Sequence, residues 1–254
     1  MRSSASLTAS ASVFLSLVSF RAFAAEPEQL EQLEPEGGAW LAEYNGTFGP
    51  DESSHGGEVL YGIDNRIAVG AEAEFESEGG APSFDEAEGF ILLTFDRAEG
   101  GRAGFGLKLG GGVNRDGRIS EVEARLITEQ RSGGIWSQGN LILRHVRGAA
   151  ERSPEPNEEP EGKGTLIAFA ASVQKEVGDE LWLGLEASGE PAHLSGFDPA
   201  DGEGFDASLF LGPSLTAEFE TGGDGEVEVG IAMLFGLIGE DTPAALRIFV
   251  QTEF

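Results

Sequence analysis

A hydroxyl and an imidazole stand two residues apart in His193-Leu194-Ser195, the spacing at which an extended chain puts both side chains on one face. A nucleophilic serine needs that base and a third group to orient it. The same-face positions of the segment that follows are Phe205, Ala207 and Leu209, which offer no such group, and Pro191 interrupts the strand. The other histidines, His55 and His145, fall in a loop and on an outward strand face. With no Cys in the chain, thiolate nucleophiles, thiolate metal sites and disulfides are excluded. Gly112 to Glu123 imitates a calcium loop at several positions, yet it lacks the first ligand and the flanking helices. Asn114-Arg115-Asp116-Gly117 reads better as a hairpin turn. Gly110-Gly111-Gly112 lacks the Lys-Ser/Thr of a phosphate loop, and Asn45-Gly46-Thr47 lies within a strand. The acidic stretch 198–206 reads as solvated surface. No catalytic set, metal site or cofactor is expected.

What remains is the carboxylates. The chain carries 45 Asp+Glu against 16 Lys+Arg, for a formal charge of −29 over 254 residues. So acidic a chain has nothing with which to neutralise phosphates, which excludes nucleic acid as a partner. Its 40% hydrophobic content and 17 Phe are too high for a disordered polyanion. No run of about 18 apolar residues is present, so a helical span is excluded.

The elements that must position the acids follow from periodicity. From residue 37 the sequence alternates apolar with small or polar residues over about ten positions at a time, broken by Gly, Asp, Asn and Pro turns. About twelve such segments are expected, near 38–48, 57–63, 66–76, 85–96, 102–112, 118–130, 134–147, 164–176, 180–191, 204–220, 225–236 and 245–254. The even-numbered connections are short and most odd-numbered ones, 49–56, 77–84, 148–163, 195–203 and 237–244, are longer. Tight turns at one end and long loops at the other is the asymmetry of outer-membrane barrels. Aromatics fall outward near two levels: Trp40, Phe95, Phe105, Phe219 and Phe254 at the turn end, Phe48, Phe75, Phe205 and Phe235 at the loop end. Interfacial partition of aromatic rings produces such girdles. Pro213 removes a ladder donor within a strand and marks a bulge.

The fold class read from this pattern is all-β: an up-and-down antiparallel transmembrane β-barrel of about twelve strands, residues 37–254. Ahead of it, residues 1–24 read as a signal peptide. Arg2 gives the basic start, Val13 to Phe20 the apolar stretch and Ala22-Phe23-Ala24 the cleavage site. Residues 25–36 read as a short, solvated, acidic periplasmic leader.

The C-terminal stretch Leu246-Arg-Ile-Phe-Val-Gln-Thr-Glu-Phe254 resembles the signal by which Gram-negative outer-membrane barrels are recognised for assembly. That likeness implies the outer membrane as location, its lipid as surroundings, and the barrel-assembly machinery as a partner acting through Phe254. More narrowly, Leu60-Tyr-Gly-Ile-Asp-Asn-Arg-Ile-Ala-Val-Gly70 and Leu211-Gly-Pro-Ser-Leu215 are similar to phrases in transporters of the phenol-degradation MetA-pathway type. That likeness brings no functional residues. The pair His193 and Ser195 resembles the lipid-facing His-x-Ser of outer-membrane phospholipases, which makes lipid hydrolysis a minor alternative.

Facing lipid, a strand must present apolar side chains, since a charge at the midplane costs about 2–4 kcal/mol for Arg or Lys. The alternation therefore turns the strand carboxylates inward: Glu43, Glu72, Glu74, Glu88, Asp96, Glu121, Glu123, Glu186, Asp206, Glu218 and Glu228. Lys108, Arg125, Arg144 and Arg247 share that face. Acids outnumber bases there, so the surplus must be hydrated, protonated or neutralised by ions. The expected function is a non-enzymatic channel or passive transporter for small polar or cationic solutes through an acid-lined lumen. The alternative is a non-transporting structural or surface-interaction barrel with a plugged interior.

Overall fold

A chain that alternates apolar and polar residues can bury all its backbone polar groups in a membrane only as a closed sheet, since an open one leaves edge groups unpaired. The computed structural model describes residues 27–33, 36–50, 52–78, 80–146, 164–196, 207–221, 225–238 and 244–254, so the proposed signal peptide lies outside the described residues. The strands are β1 (Trp40–Phe48), β2 (Glu52–Asp64), β3 (Ile67–Glu78), β4 (Ser83–Asp96), β5 (Gly104–Asn114), β6 (Ile119–Ser132), β7 (Ile135–Val146), β8 (Gly164–Gly178), β9 (Leu181–Gly196), β10 (Ser208–Glu220), β11 (Glu226–Ile238) and β12 (Ala244–Glu253). Each pairs antiparallel with its sequence neighbours, and β12 returns to β1 to close the barrel. The seam runs from Leu41↔Glu253 to Phe48↔Leu246. Trp40 and Phe254 extend it, each backbone N–H donating to the other's carbonyl at 2.9 Å.

The two faces separate as the period demands. Along β4, Ile91 is 47% exposed while its neighbours Phe90 and Leu92 are buried. Ile231, Met233 and Phe235 of β11 are exposed between buried Ala232 and Leu234. Trp40, Phe95, Phe105, Phe219 and Phe254 are exposed at the turn end, and Phe75 and Phe235 at the loop end. Phe205 lies outside the described residues. An outer wall this apolar could not face water without aggregating. Lipid is the solvent it suits.

Several expectations need correction. The strands run further at the loop end than the alternation alone suggests. β2 starts at Glu52, because pairing with β3 continues to Glu52↔Glu78. The connections expected at 49–56 and 77–84 therefore shrink to 49–51 and 79–82. β9 continues past Pro191 to Gly196. β10 begins at Ser208 rather than near 204. Pro213 marks no bulge of its own: the register shift in β10 lies at Leu209/Phe210, and Pro213 sits opposite Leu185 of β9.

The largest departure concerns the leader. Residues 27–33 are not solvated but lie inside the barrel, with Glu28 and Leu33 buried. The physical reason is that two glutamates of this segment reach buried cations of the wall, Glu28 pairing with Arg144 and Glu31 with Lys108 and Arg125. After Leu33 the chain turns at Gly37 and Gly38, whose φ of 91° suits glycine, and β1 sets off in the opposite direction. Asn65 Oδ1 accepts from Gly37 N–H at 3.1 Å and Gly62 O from Gly38 N–H at 2.7 Å, which fixes that turn.

Candidate functional site: a lumen occupied by the chain's own segment

The inner wall is charged unevenly. Glu43, Glu58 and Glu72 stand opposite one another in register across β1, β2 and β3, and Glu88 of β4 continues the row. Like charges so placed repel. Positive charge enters from the next strands: Lys108 of β5 faces Arg125 of β6, and Glu123 of β6 faces Arg144 of β7.

The segment is held between these two sides. Arg144 grips the Glu28 carboxylate with both Nη atoms, at 3.0 and 3.1 Å, and donates to Glu123 at 2.9 Å. It also lies 3.3 Å from Glu121. Arg125 donates to Glu123 at 2.8 Å, to Glu31 at 3.2 Å and to the carbonyl of Gln29 at 3.3 Å. Lys108 Nζ is 2.7 Å from Glu31, 3.0 Å from Glu58 and 3.9 Å from Glu72, and lies 3.9 Å over the ring of Phe90. Asn140 acts as a small peptide mimic: its Oδ1 accepts from Glu31 N–H at 2.7 Å and its Nδ2 donates to Glu31 O at 3.1 Å. Lower down, Gln32 donates to Glu228 at 3.1 Å. Leu33 packs with Leu41, Leu60, Phe90, Leu92 and Ile127. Gly106 of β5 makes the seat, since a Cβ there would collide with the Leu33 side chain.

The carboxylates of Glu31, Glu58 and Glu72 lie within 4.8 Å of one another, a grouping that suits a metal ion by number and type. The Lys108 ammonium stands among them. Burial by itself pushes the Glu31 carboxyl up, but Lys108, then Arg125, outweigh it and hold the group below its ordinary value of 4.5.

Two vestibules flank the segment. One, of about 280 Å³ at the loop end, is lined by Pro27, Glu28, Glu74, Glu88, Glu121 and Glu190 among others. The other, of about 330 Å³ at the turn end, is lined by Leu33, Glu36, Arg131, Glu226 and Glu228. Beside the segment, toward β8–β12, a void of about 20 Å³ remains, room for about one water.

The inward residues named from sequence thus fall into separate groups. Glu72, Lys108, Glu121, Glu123, Arg125 and Arg144 surround the segment. Glu74 and Glu88 line the loop-end vestibule. Arg247 pairs with Glu186 at 2.6 Å and donates to the carbonyl of Glu28 at 3.1 Å. Glu218 and Glu228 face Arg131, at 2.6 and 4.0 Å. Glu43 lines the small void. Asp206 lies outside the described residues, and Asp96 is half-exposed beside Arg102 at 3.7 Å. Sequence reading missed Glu58, Arg131 and the whole segment. Glu58 was legible, since it occupies the inward position opposite Glu43. Arg131, stacked over Trp136 at 3.8 Å, sits where β6 outruns its expected end. Gly110 and Gly112, set aside as a phosphate loop, have a packing role: a Cβ at either would collide with the carboxylate of Glu88 or Glu86.

On the outer wall, Ser195 Oγ donates to Thr165 Oγ1 at 3.3 Å, and Thr165 is hydrogen-bonded to His145 Nδ1 at 2.9 Å. No carboxylate is paired with His145 among the described residues. The side chain of His193, paired with Ser195 in the sequence reading, lies outside the described residues.

No known family matches this sequence, and no curated protein matches it. Solved structures do. The NanC porin aligns with a TM-score of 0.51 at 8% identity, over 83% of this chain and 98% of that one. The KdgM porin aligns at 0.48 and 8% identity, over 84% and 98%. The transport unit of the autotransporter AIDA-I from Escherichia coli aligns at 0.48 and 11%, over 89% and 93%. Identities this low speak to fold alone. Closed, twelve-stranded and apolar on its outside, this chain is an outer-membrane β-barrel of porin-like fold.

Proposed function

We propose that the protein is an outer-membrane channel for small polar solutes, closed at rest by its own segment 27–33 and opened when that segment leaves. One observation carries this reading: the segment adds no strand to the sheet. The β1–β12 seam is complete without it, and it is held by ion pairs, side-chain hydrogen bonds and one leucine. Its departure would leave the barrel whole and unite two polar vestibules. Acids outnumber bases on the inner wall, so K⁺ should pass more readily than Cl⁻. No enzymatic step is proposed. Residues 1–24 would direct export and Phe254 would engage the assembly machinery; loss of Phe254 should lower the amount of barrel reaching the outer membrane, read on membrane fractions.

Planar-bilayer conductance tests the channel. The full chain should be nearly silent at neutral pH, and the double variant Glu28→Gln/Glu31→Gln, which weakens the grip of Arg144, Arg125 and Lys108, should conduct at least tenfold more. The density of ion pairs around the segment favours the second reading, a permanently plugged structural barrel. A silent double variant would decide for it.

A further inference from the structure

Segment 27–33 divides the lumen unequally. Glu28 and Glu31 pair with Lys108, Arg125 and Arg144 of β5–β7, and uncharged polar groups make up much of the side that faces β8–β12. Gln174, Ser214 and Thr216 line that side together with Gln138 of β7, and Gln32 of the segment lies opposite. The charged groups that line the void are Glu43 and the pair of Glu186 with Arg247, 2.6 Å apart. Gln174 donates to Thr216 Oγ1 at 3.1 Å, but its own Oε1 has no partner. Neither do Gln32 Oε1, Glu186 Oε1 and Ser214 Oγ. All four atoms are fully buried, and Gln174, Glu186 and Ser214 are residues no more than 4% exposed. Orphaned polar atoms are rare in protein interiors, and each wants a partner. Four of them around one small void mark a surface shaped for hydrogen-bonding matter from outside the fold.

We propose that this lane along β8–β12 is the solute path, and that it serves neutral polyhydroxylated molecules of the sugar and polyol class. This rests on the channel reading. The class follows from chemistry. A hydroxyl both donates and accepts, so it can satisfy the carbonyl oxygen of Gln174 as well as the hydroxyls of Ser214 and Thr216. A carboxylated solute would bring acceptors to a wall already short of donors. A cation would meet Glu186 only beside the Arg247 guanidinium, which repels it. In the closed state the void of about 20 Å³ suits one water; a sugar hydroxyl takes that place once Gln32 withdraws.

The test uses the full chain carrying Glu28→Gln/Glu31→Gln, reconstituted in liposomes and compared with the same chain further changed to Gln174→Leu or, separately, Ser214→Ala. Swelling is read with maltose, lysine and glutamate, and KCl conductance is read in parallel. Maltose should enter at least threefold faster than either charged solute despite its size. Gln174→Leu should slow maltose about tenfold and Ser214→Ala about threefold. Lysine or glutamate entering as fast as maltose, or maltose flux unmoved by both lane variants, overturns the lane while leaving the channel standing. Absence of KCl conductance overturns the channel reading, and the lane with it.

Discussion

Lys108 shows how much one side chain settles in this lumen. It is 2% exposed, and its ammonium answers Glu31, Glu58 and Glu72 at once. Removing one member of a buried charge group costs about 3–5 kcal/mol, because the partners stay behind uncompensated. Lys108→Met should therefore destabilise the barrel by about that amount in urea unfolding from lipid vesicles. Because the three carboxylates would remain clustered within 4.8 Å, added Ca²⁺ should restore part of the loss in the variant and do nothing for the parent. Glu31 gives a pH dependence of definite sign. Facing it are Lys108, Arg125, Glu58, Glu72 and Glu123. Its carboxyl titrates below 4.5 when the segment is docked, so its contribution is fully present above that value. It is lost as pH falls through the lower, docked one. Conductance of the parent chain should accordingly stay low at neutral pH and rise only in acid below about pH 4.5, and Glu31→Gln should abolish that rise.

At the scale of elements, the segment and β5 fit as foot and seat. Leu33 lies against Gly104 and Gly106, where any larger side chain on that face would meet it. Gly106→Val should lift the foot while leaving the strand pairing in place, raising conductance at neutral pH without loss of the folded barrel. Leu33→Ala should act in the same direction more weakly, since it empties the seat rather than filling it. The strands themselves were largely legible because each presents one face to lipid and one to water, the condition under which a period of two is strongest. Their loop-end boundaries were less so. Near Glu52–Glu58 of β2 the sequence is polar on both faces, and only pairing with β3 shows that the strand continues.

For the whole molecule, closure is the decisive property. Twelve strands joined into a cylinder have no edge to fray. The unboiled protein should hence migrate faster than the boiled one on a denaturing gel, and Glu28→Gln/Glu31→Gln should keep that difference, since the segment contributes nothing to the seam. Loss of the fast form in the double variant would mean that the segment holds the barrel together rather than closing it.

By itself the sequence determined the cylinder: about twelve strands with their inward and outward faces, which follow from local alternation against two solvents. Only the tertiary structure decided what fills it. Glu28 and Glu31 look like solvated acids in a chain read locally, because their partners Arg144, Arg125 and Lys108 lie far along the sequence on β5–β7. Long-range charge pairing leaves no period to read. The same holds for the void between the segment and β8–β12, which exists only once the barrel has closed and the segment has chosen its wall.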